Sequence, residues 1–290
     1  MLTLAGCALA QQPAPAAQKP ADQQAAPAQG AAPAAPPQGK RIPQAKTQAE
    51  FDAYNAAKAN ASDPAATEKA ADDFAAKFPN SELRVLLYQA AMRGYQNANN
   101  AEKMGAMAEG VLKLDADDPE ALVAAGEVII ESTHDSDIDK DQRWSKAQQY
   151  AQHSLQTVET DVAIPPGTPQ ERIDAYKNLL RSSAYSILGA ISFNQEKYPE
   201  AEKYFRSSID AYPSQPDPVV VLRLALALDK QEHYADALKS ANQAVELTQD
   251  GSVAGKLARQ ERDRLVQLTG GIPASSTPPA GAKQTTNPPH

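Results

Sequence analysis

A single cysteine, Cys7, leaves this chain of 290 residues without a partner for an intrachain disulfide and excludes a thiolate metal cluster. Aromatic residues reach only 6%. Alanine is abundant instead, and small side chains suit close helix–helix packing better than a sheet core. Basic residues are outnumbered 28 to 36, and the formal charge of -8 argues against a nucleic-acid partner, which requires clustered Lys and Arg. No apolar run approaches the roughly 18 to 20 residues that span a bilayer. The four histidines, His134, His153, His233 and His290, stand at no metal-ligand spacing. A Gly-rich phosphate loop, a nucleophile elbow and a His-Glu-x-x-His helix are all missing. Catalysis is therefore not expected, and neither is a cofactor or a bound metal.

What is present is organised by composition. Residues 11–46 are almost entirely Ala, Pro, Gln and Lys. Such a tract has little to bury against the entropy of ordering, and its prolines predict a semi-stiff, extended tether. The stretch 271–290 carries Pro273, Pro278, Pro279, Pro288 and Pro289 among Ser and Thr, and is expected to be a disordered tail. Leu, Ile and Val concentrate between these ends, so the ordered domain is placed at 47–270.

Helix starts are well marked there. Asp63-Pro64, Asp118-Pro119 and Asp217-Pro218 each set an N-cap acceptor before a proline at the first helical position. Thr168-Pro169-Gln170-Glu171 has the form of a capping box. Between Tyr185 and Pro213 a spacing of small and large residues defines a helix pair: Tyr185, Leu188, Gly189, Ala201, Phe205, Ser208, Ile209, Pro213. Gly189 and Ala201 let the helices approach, Phe205 fills the gap one turn on, and Pro213 ends the second helix.

These residues resemble the tetratricopeptide repeat, whose period is about 34 residues. The resemblance covers roughly 47–268 and implies an all-α, right-handed α-solenoid of about five helix-turn-helix repeats. The first runs from about Gln48 to Ser81, with Thr67 standing where a small residue is expected; the second runs from about Val85 to Asp118. The third begins at Pro119 and resumes after an insertion at Ala147, Ala151 and Ser154. The fourth is the strongest, and the fifth spans about Pro218 to Gly251. A final helix, about Ser252 to Leu268, sets Val253, Leu257, Leu265 and Leu268 beside Lys256, Arg259, Glu261, Arg262 and Asp263, as a capping helix should. Two departures interrupt the pattern: Thr133–Asp141 within repeat three and Thr157–Pro169 before repeat four. The following segment is predicted to be helical without a break to Phe193.

In that family the first helices line a concave groove that takes a protein or peptide. The matching outward positions here are Gln89, Arg93, Gln96 and Asn97, then Glu127 and Glu131, then Asn194, then Leu222, Arg223 and Leu226. Gln89, Arg93, Glu127, Asn194 and Arg223 are the candidate partner-groove residues, with one apolar stretch near the C-terminal end. The Lys and Asn set with which relatives clamp a C-terminal carboxylate is missing, since Gln89, Arg93, Val123 and Ala124 stand in those places.

Two further features invite a site. Asp135, Asp137, Asp139 and Asp141 alternate like half a calcium loop, but Lys140 and Lys146 occupy the positions that need Gly and a bidentate Glu. A solvated acidic loop is expected. Trp144 either anchors a partner or, more in keeping with Ala147 and Ala151 beside it, packs down to pin the insertion.

Leu4-Ala5-Gly6-Cys7 resembles a bacterial lipobox, which implies lipidation of Cys7; Ala8-Leu9-Ala10 before Gln11 resembles a secretory cleavage site. Both require an apolar segment behind a basic start, and only Met1 to Ala5 precede the site. Residues 1–10 are therefore expected to be a partial signal or lipobox region with the true start upstream. Together these features predict an exported binding scaffold, periplasmic or anchored to a membrane through lipidated Cys7. The alternative is a structural lipoprotein accessory of an envelope assembly, pilus or secretion complex.

Overall fold

Eleven α-helices follow one another in antiparallel pairs through the computed structural model, which describes residues 39–59 and 63–270. The pairs are α1 (Gln48–Lys58) with α2 (Pro64–Lys77), α3 (Arg84–Asn97) with α4 (Ala101–Leu114), and α5 (Pro119–Glu131) with α6 (Lys140–Thr157). Then come α7 (Gln170–Asn194) with α8 (Tyr198–Ala211), α9 (Pro218–Asp229) with α10 (Tyr234–Leu247), and the single α11 (Val253–Leu268). The described residues thus form an all-α solenoid of five tetratricopeptide-like pairs and a terminal helix.

The three Asp-Pro starts form as their chemistry dictates. Asp63 accepts from the Ala65 and Ala66 N–H groups, Asp118 from Ala121 and Asp217 from Val219, each with Pro at the first position. The capping box expected at Thr168 does not form. Thr168 instead donates its hydroxyl to the Pro165 carbonyl at 2.7 Å, closing a turn in which Gly167 has φ +80°. Pro then Gly at the centre of that turn satisfies its backbone, and α7 starts at Gln170 with no side-chain cap. A Thr-x-x-Glu box forms at α1 instead. Thr47 accepts from the Glu50 N–H at 3.2 Å, and the Glu50 carboxylate reaches back to the Lys46 N–H at 2.7 Å.

Packing follows the small-residue logic. A β-carbon on Gly189 would sit 2.5 Å from two ring carbons of Phe205, so only glycine lets α7 and α8 meet there. Each apolar core is shared with the next pair. Ala71 and Phe74 pack on Leu87, Met104 and Ala108 pack with Ala121 and Ala124, and Trp144 and Ala147 pack with Ala184 and Ile187. Trp144, 3% exposed, is a core residue of the third pair. Burial on this scale, at roughly 25 cal/mol per Å² of apolar surface, is what holds short helices that are marginal alone. Between helices of a pair, Asn99, Glu196 and Glu232 take φ of 53°, 60° and 62° and end the first helix with the same backbone closure. The insertion at Ser132–Asp139 replaces that turn in the third pair.

Two expectations need revision. Residues 39–46, assigned to the tether on composition, lie against the array: the Lys40 N–H donates to the Val162 carbonyl at 3.1 Å, and Arg41 Nη2 to Glu82 at 2.7 Å. The terminal helix buries only Leu265 of its expected stripe; Val253, Leu257 and Leu268 are 75%, 49% and 54% exposed. It turns Ala258 and Leu265 inward, because Glu261 is held between by Arg264, whose guanidinium also pairs with Asp229 of α9.

Candidate functional site

One stripe of α3 carries Leu86, Gln89, Ala90 and Arg93 at the i, i+3, i+4, i+7 spacing that shares a helix face. Opposite it stands the start of α5. The Gln89 amide donates to Asp118 Oδ2, while Asp118 Oδ1 accepts from the Ala121 N–H at 2.8 Å. Arg93 donates from Nε to Glu120 Oε1 at 2.6 Å and from Nη2 to Glu120 Oε2, a two-pronged pair. Gln89 and Arg93 are thus both engaged by the next pair, Gln89 buried and Arg93 with about half of its side chain, 52%, in solvent.

Above this stripe lies a roof that the repeat pattern does not contain. The link at 158–169 folds back, and Val158, Val162 and Leu180 form a small core of their own with Ile164 and Tyr176. Glu159 grips the extended part of α7: the buried Lys177 Nζ donates to its carbonyl at 2.8 Å and to its carboxylate at 3.3 Å, and Arg181 pairs with it too. The strap at 39–42 adds a parallel bridge from Lys40 to Ala163, and Lys40 Nζ pairs with Asp115 and with Asp161. Floor, roof and strap border a half-open cavity of about 420 Å³. Leu86, Ala90 and Pro119 form its apolar floor, Val162, Pro165 and Tyr176 its roof, and Ile42 and Tyr54 close one side.

Electrostatics distinguish the walls. Burial pushes the Asp118 carboxyl up to about 6, with Glu120 and Asp115 adding repulsion against the stabilising Ala121 and Gln89 bonds. Tyr176 is raised by burial and by Glu120 beside it. Arg93 is raised by its bond to Glu120 and stays cationic. Lys58 lies at the cavity with its ammonium 5.5 Å from the Tyr54 ring centroid. The cavity offers apolar walls, one buried carboxyl that titrates near neutrality, and a cation at its edge.

The remaining candidates lie elsewhere. Glu127 is half-buried further along α5, its carboxyl pushed up to about 7 by burial, with Glu131 and Asp217 repelling it and the Ser183 hydroxyl opposing them. Asn194 is exposed at the end of α7, and Arg223 is half-buried on α9 without an ion pair to a described residue. The structure brings Gln89 and Arg93 together in one cavity and leaves these three outside it. The apolar stretch expected to be open at Leu222 and Leu226 is covered: Leu222 is buried with Ala244 and Ala258, and Leu226 packs on that cluster. In the acidic loop Asp137 accepts from the His134 N–H at 2.8 Å and pairs with Arg143. Cys7 lies outside the described residues. The strap and roof were missed by sequence reasoning. The one available signal was the apolar set Val158, Val162 and Ile164 inside a stretch read as a link.

No family model matches the chain, and no curated protein matches it. Solved structures with a similar course include a MamA protein, at 16% identity over 69% of this chain and 90% of that one, TM-score 0.46. PilF of Pseudomonas aeruginosa aligns at 17% identity over 79% and 96%, TM-score 0.49. The assembly chaperone of RpL4, Acl4, aligns at 12% over 76% and 97%, TM-score 0.41. The fold assignment rests on the helix pairs themselves.

Proposed function

We propose that this chain is an exported tetratricopeptide-type scaffold that holds a segment of a protein or peptide in the cavity between α3, α5 and the roof. The observation that supports this is the partial covering of an apolar floor by the 158–169 link and the strap. An inserted apolar side chain is sheltered there, while Asp118 and Lys58 offer an acceptor and a cation to the ligand backbone or a neighbouring polar group. Ligand pockets of this size combine apolar walls with a few placed polar groups. Because Gln89 and Arg93 are braced by Asp118 and Glu120, the wall is preorganised and loses little side-chain entropy on binding.

The test is a photo-crosslinking amino acid placed at Ala90, inside the cavity, and at the exposed Ala106 on α4. A discrete adduct from Ala90 but not from Ala106, removed by filling the cavity with Val162→Trp, supports the proposal. Equal capture from both positions refutes it. Export belongs to the same proposal, and mass spectrometry of the mature N-terminus reports it. Cleavage after Ala10 supports a soluble periplasmic scaffold. Lipid on Cys7 with fixed-stoichiometry co-purification of an envelope complex supports the structural accessory instead. An N-terminus that remains unprocessed in protein isolated from its native cells rejects export.

A further inference from the structure

A second depression, sharing no residue with the concave cavity, lies between the first half of α4 and the last half of α5, with a volume of about 490 Å³. Its floor is Gly105, Val128 and Ile129, and its rim is Glu102, Glu109 and Glu131. Gly105 sets its depth, because a β-carbon there would lie 2.9 Å from Val128 Cγ1. Glu109 is already paired with Lys146 at 2.7 Å, whereas Glu102 and Glu131 make no ion pair with a described residue. Those two carboxylates stand on opposite banks, one on each helix, with aliphatic surface between them.

From this arrangement we infer that the α4–α5 groove docks an amphipathic helix of a protein partner, one that presents an aliphatic side chain with Lys or Arg about one turn before and after it. The aliphatic group fills the floor above Gly105, and the flanking cations meet Glu102 and Glu131. A groove between two helices accepts the side-chain ridge of a third. The two unpaired rim carboxylates repel phosphate, which disfavours nucleic acid and anionic lipid as occupants. Complementary charge at an exposed rim acts chiefly on the rate and salt dependence of association and on the choice of partner.

The probe is a fluorescent helical peptide bearing one Leu with Lys three residues before and four after it, beside a twin with Glu in both places. Anisotropy is read at low and high salt on the full chain. Wild-type protein should bind the Lys peptide saturably, weakening with salt, and should ignore the twin. The double variant Glu102→Lys, Glu131→Lys should lose at least about tenfold in affinity for the Lys peptide and gain the Glu twin. A control pair of equal charge change, Glu171→Lys with Glu246→Lys at exposed distant positions, should stay within about twofold of wild type. Binding should persist when the concave cavity is filled by Val162→Trp, which separates this site from the one proposed above. Absence of saturable binding overturns the inference. Equal losses from both double variants also overturn it, since attraction would then be to net charge alone.

Discussion

Replacing Glu127 by Gln tests whether the interior of the array holds a carboxylate against its chemistry. Glu127 sits half-buried on α5. Burial, then repulsion from Glu131 on its own helix and Asp217 at the start of α9, lifts it from the ordinary 4.5 to about 7, while Ser183 on α7 donates in the opposite sense. The folded chain therefore binds a proton more tightly than the unfolded chain. Between about pH 4.5 and 7 it carries more protons, so the contribution to stability falls as pH rises through that window. A difference of 2.5 units corresponds to a ceiling of about 3 kcal/mol at 1.36 kcal/mol per unit. Water reaching the partly open side chain screens this to about 1–2 kcal/mol. Glu127→Gln keeps the shape and removes the charge. Urea unfolding followed by circular dichroism should show the variant more stable than wild type by that amount near pH 7.5, and nearly equal to it near pH 5. The wild type should itself be more stable near pH 5.5 than near pH 7.5, with Asp118, raised to about 6, adding in the same direction. An equal gain at both pH values, or a loss near pH 7.5, would refute the argument.

Gly189→Ala should cost about 1–3 kcal/mol in the same unfolding assay, because the new methyl meets the Phe205 ring, and its effect combined with Phe205→Leu should be clearly less than additive. Glu232→Gly relieves a non-glycine residue at φ 62° and should raise stability by about 0.5–1 kcal/mol; an unchanged urea midpoint would show that no strain resides there. Lys40→Ala removes the ammonium that joins Asp115 and Asp161, so amide exchange at 158–164 should quicken while α9–α11 stay as before, and uniform exchange changes would disprove a local latch.

Much of the fold was legible because its causes are local. An Asp before a Pro caps a helix whatever surrounds it, and all three such starts formed. Gly189 and Phe205 stand sixteen residues apart, within one repeat, so their contact follows from period alone. Legibility failed where two local solutions compete. Thr47 and Thr168 both begin a Thr-x-x-Glu pattern. Only at Thr47 is the backbone free to use it, because Pro165 and Gly167 recruit the Thr168 hydroxyl into their own turn. The terminal helix failed for a different reason. Leu265 belongs to two overlapping faces, one with Val253, Leu257 and Leu268 and one with Ala258, and the decision falls to Arg264 reaching Asp229, a partner 35 residues earlier.

The site was half legible on the same principle. Helix position places Gln89 and Arg93 on the concave side, but not the partners that brace them. Asp118 and Glu120 lie in the next repeat, and Tyr176 comes from further still. An unadorned array would leave Gln89 and Arg93 facing solvent, where exposed polar positions contribute little. Here α7 has 25 residues against 14 in α3, about three extra turns, and the link before it carries Val158, Val162 and Ile164 over this face, which leaves Gln89 buried and Arg93 half in solvent. Those residues follow no helical period, and their burial exists only because the added turns supply Leu180 and Tyr176 to receive them. The cavity therefore arises from the interruption of the repeat. Shortening the link would return this face to an open groove, while the five pairs, each packed on its neighbours, would remain.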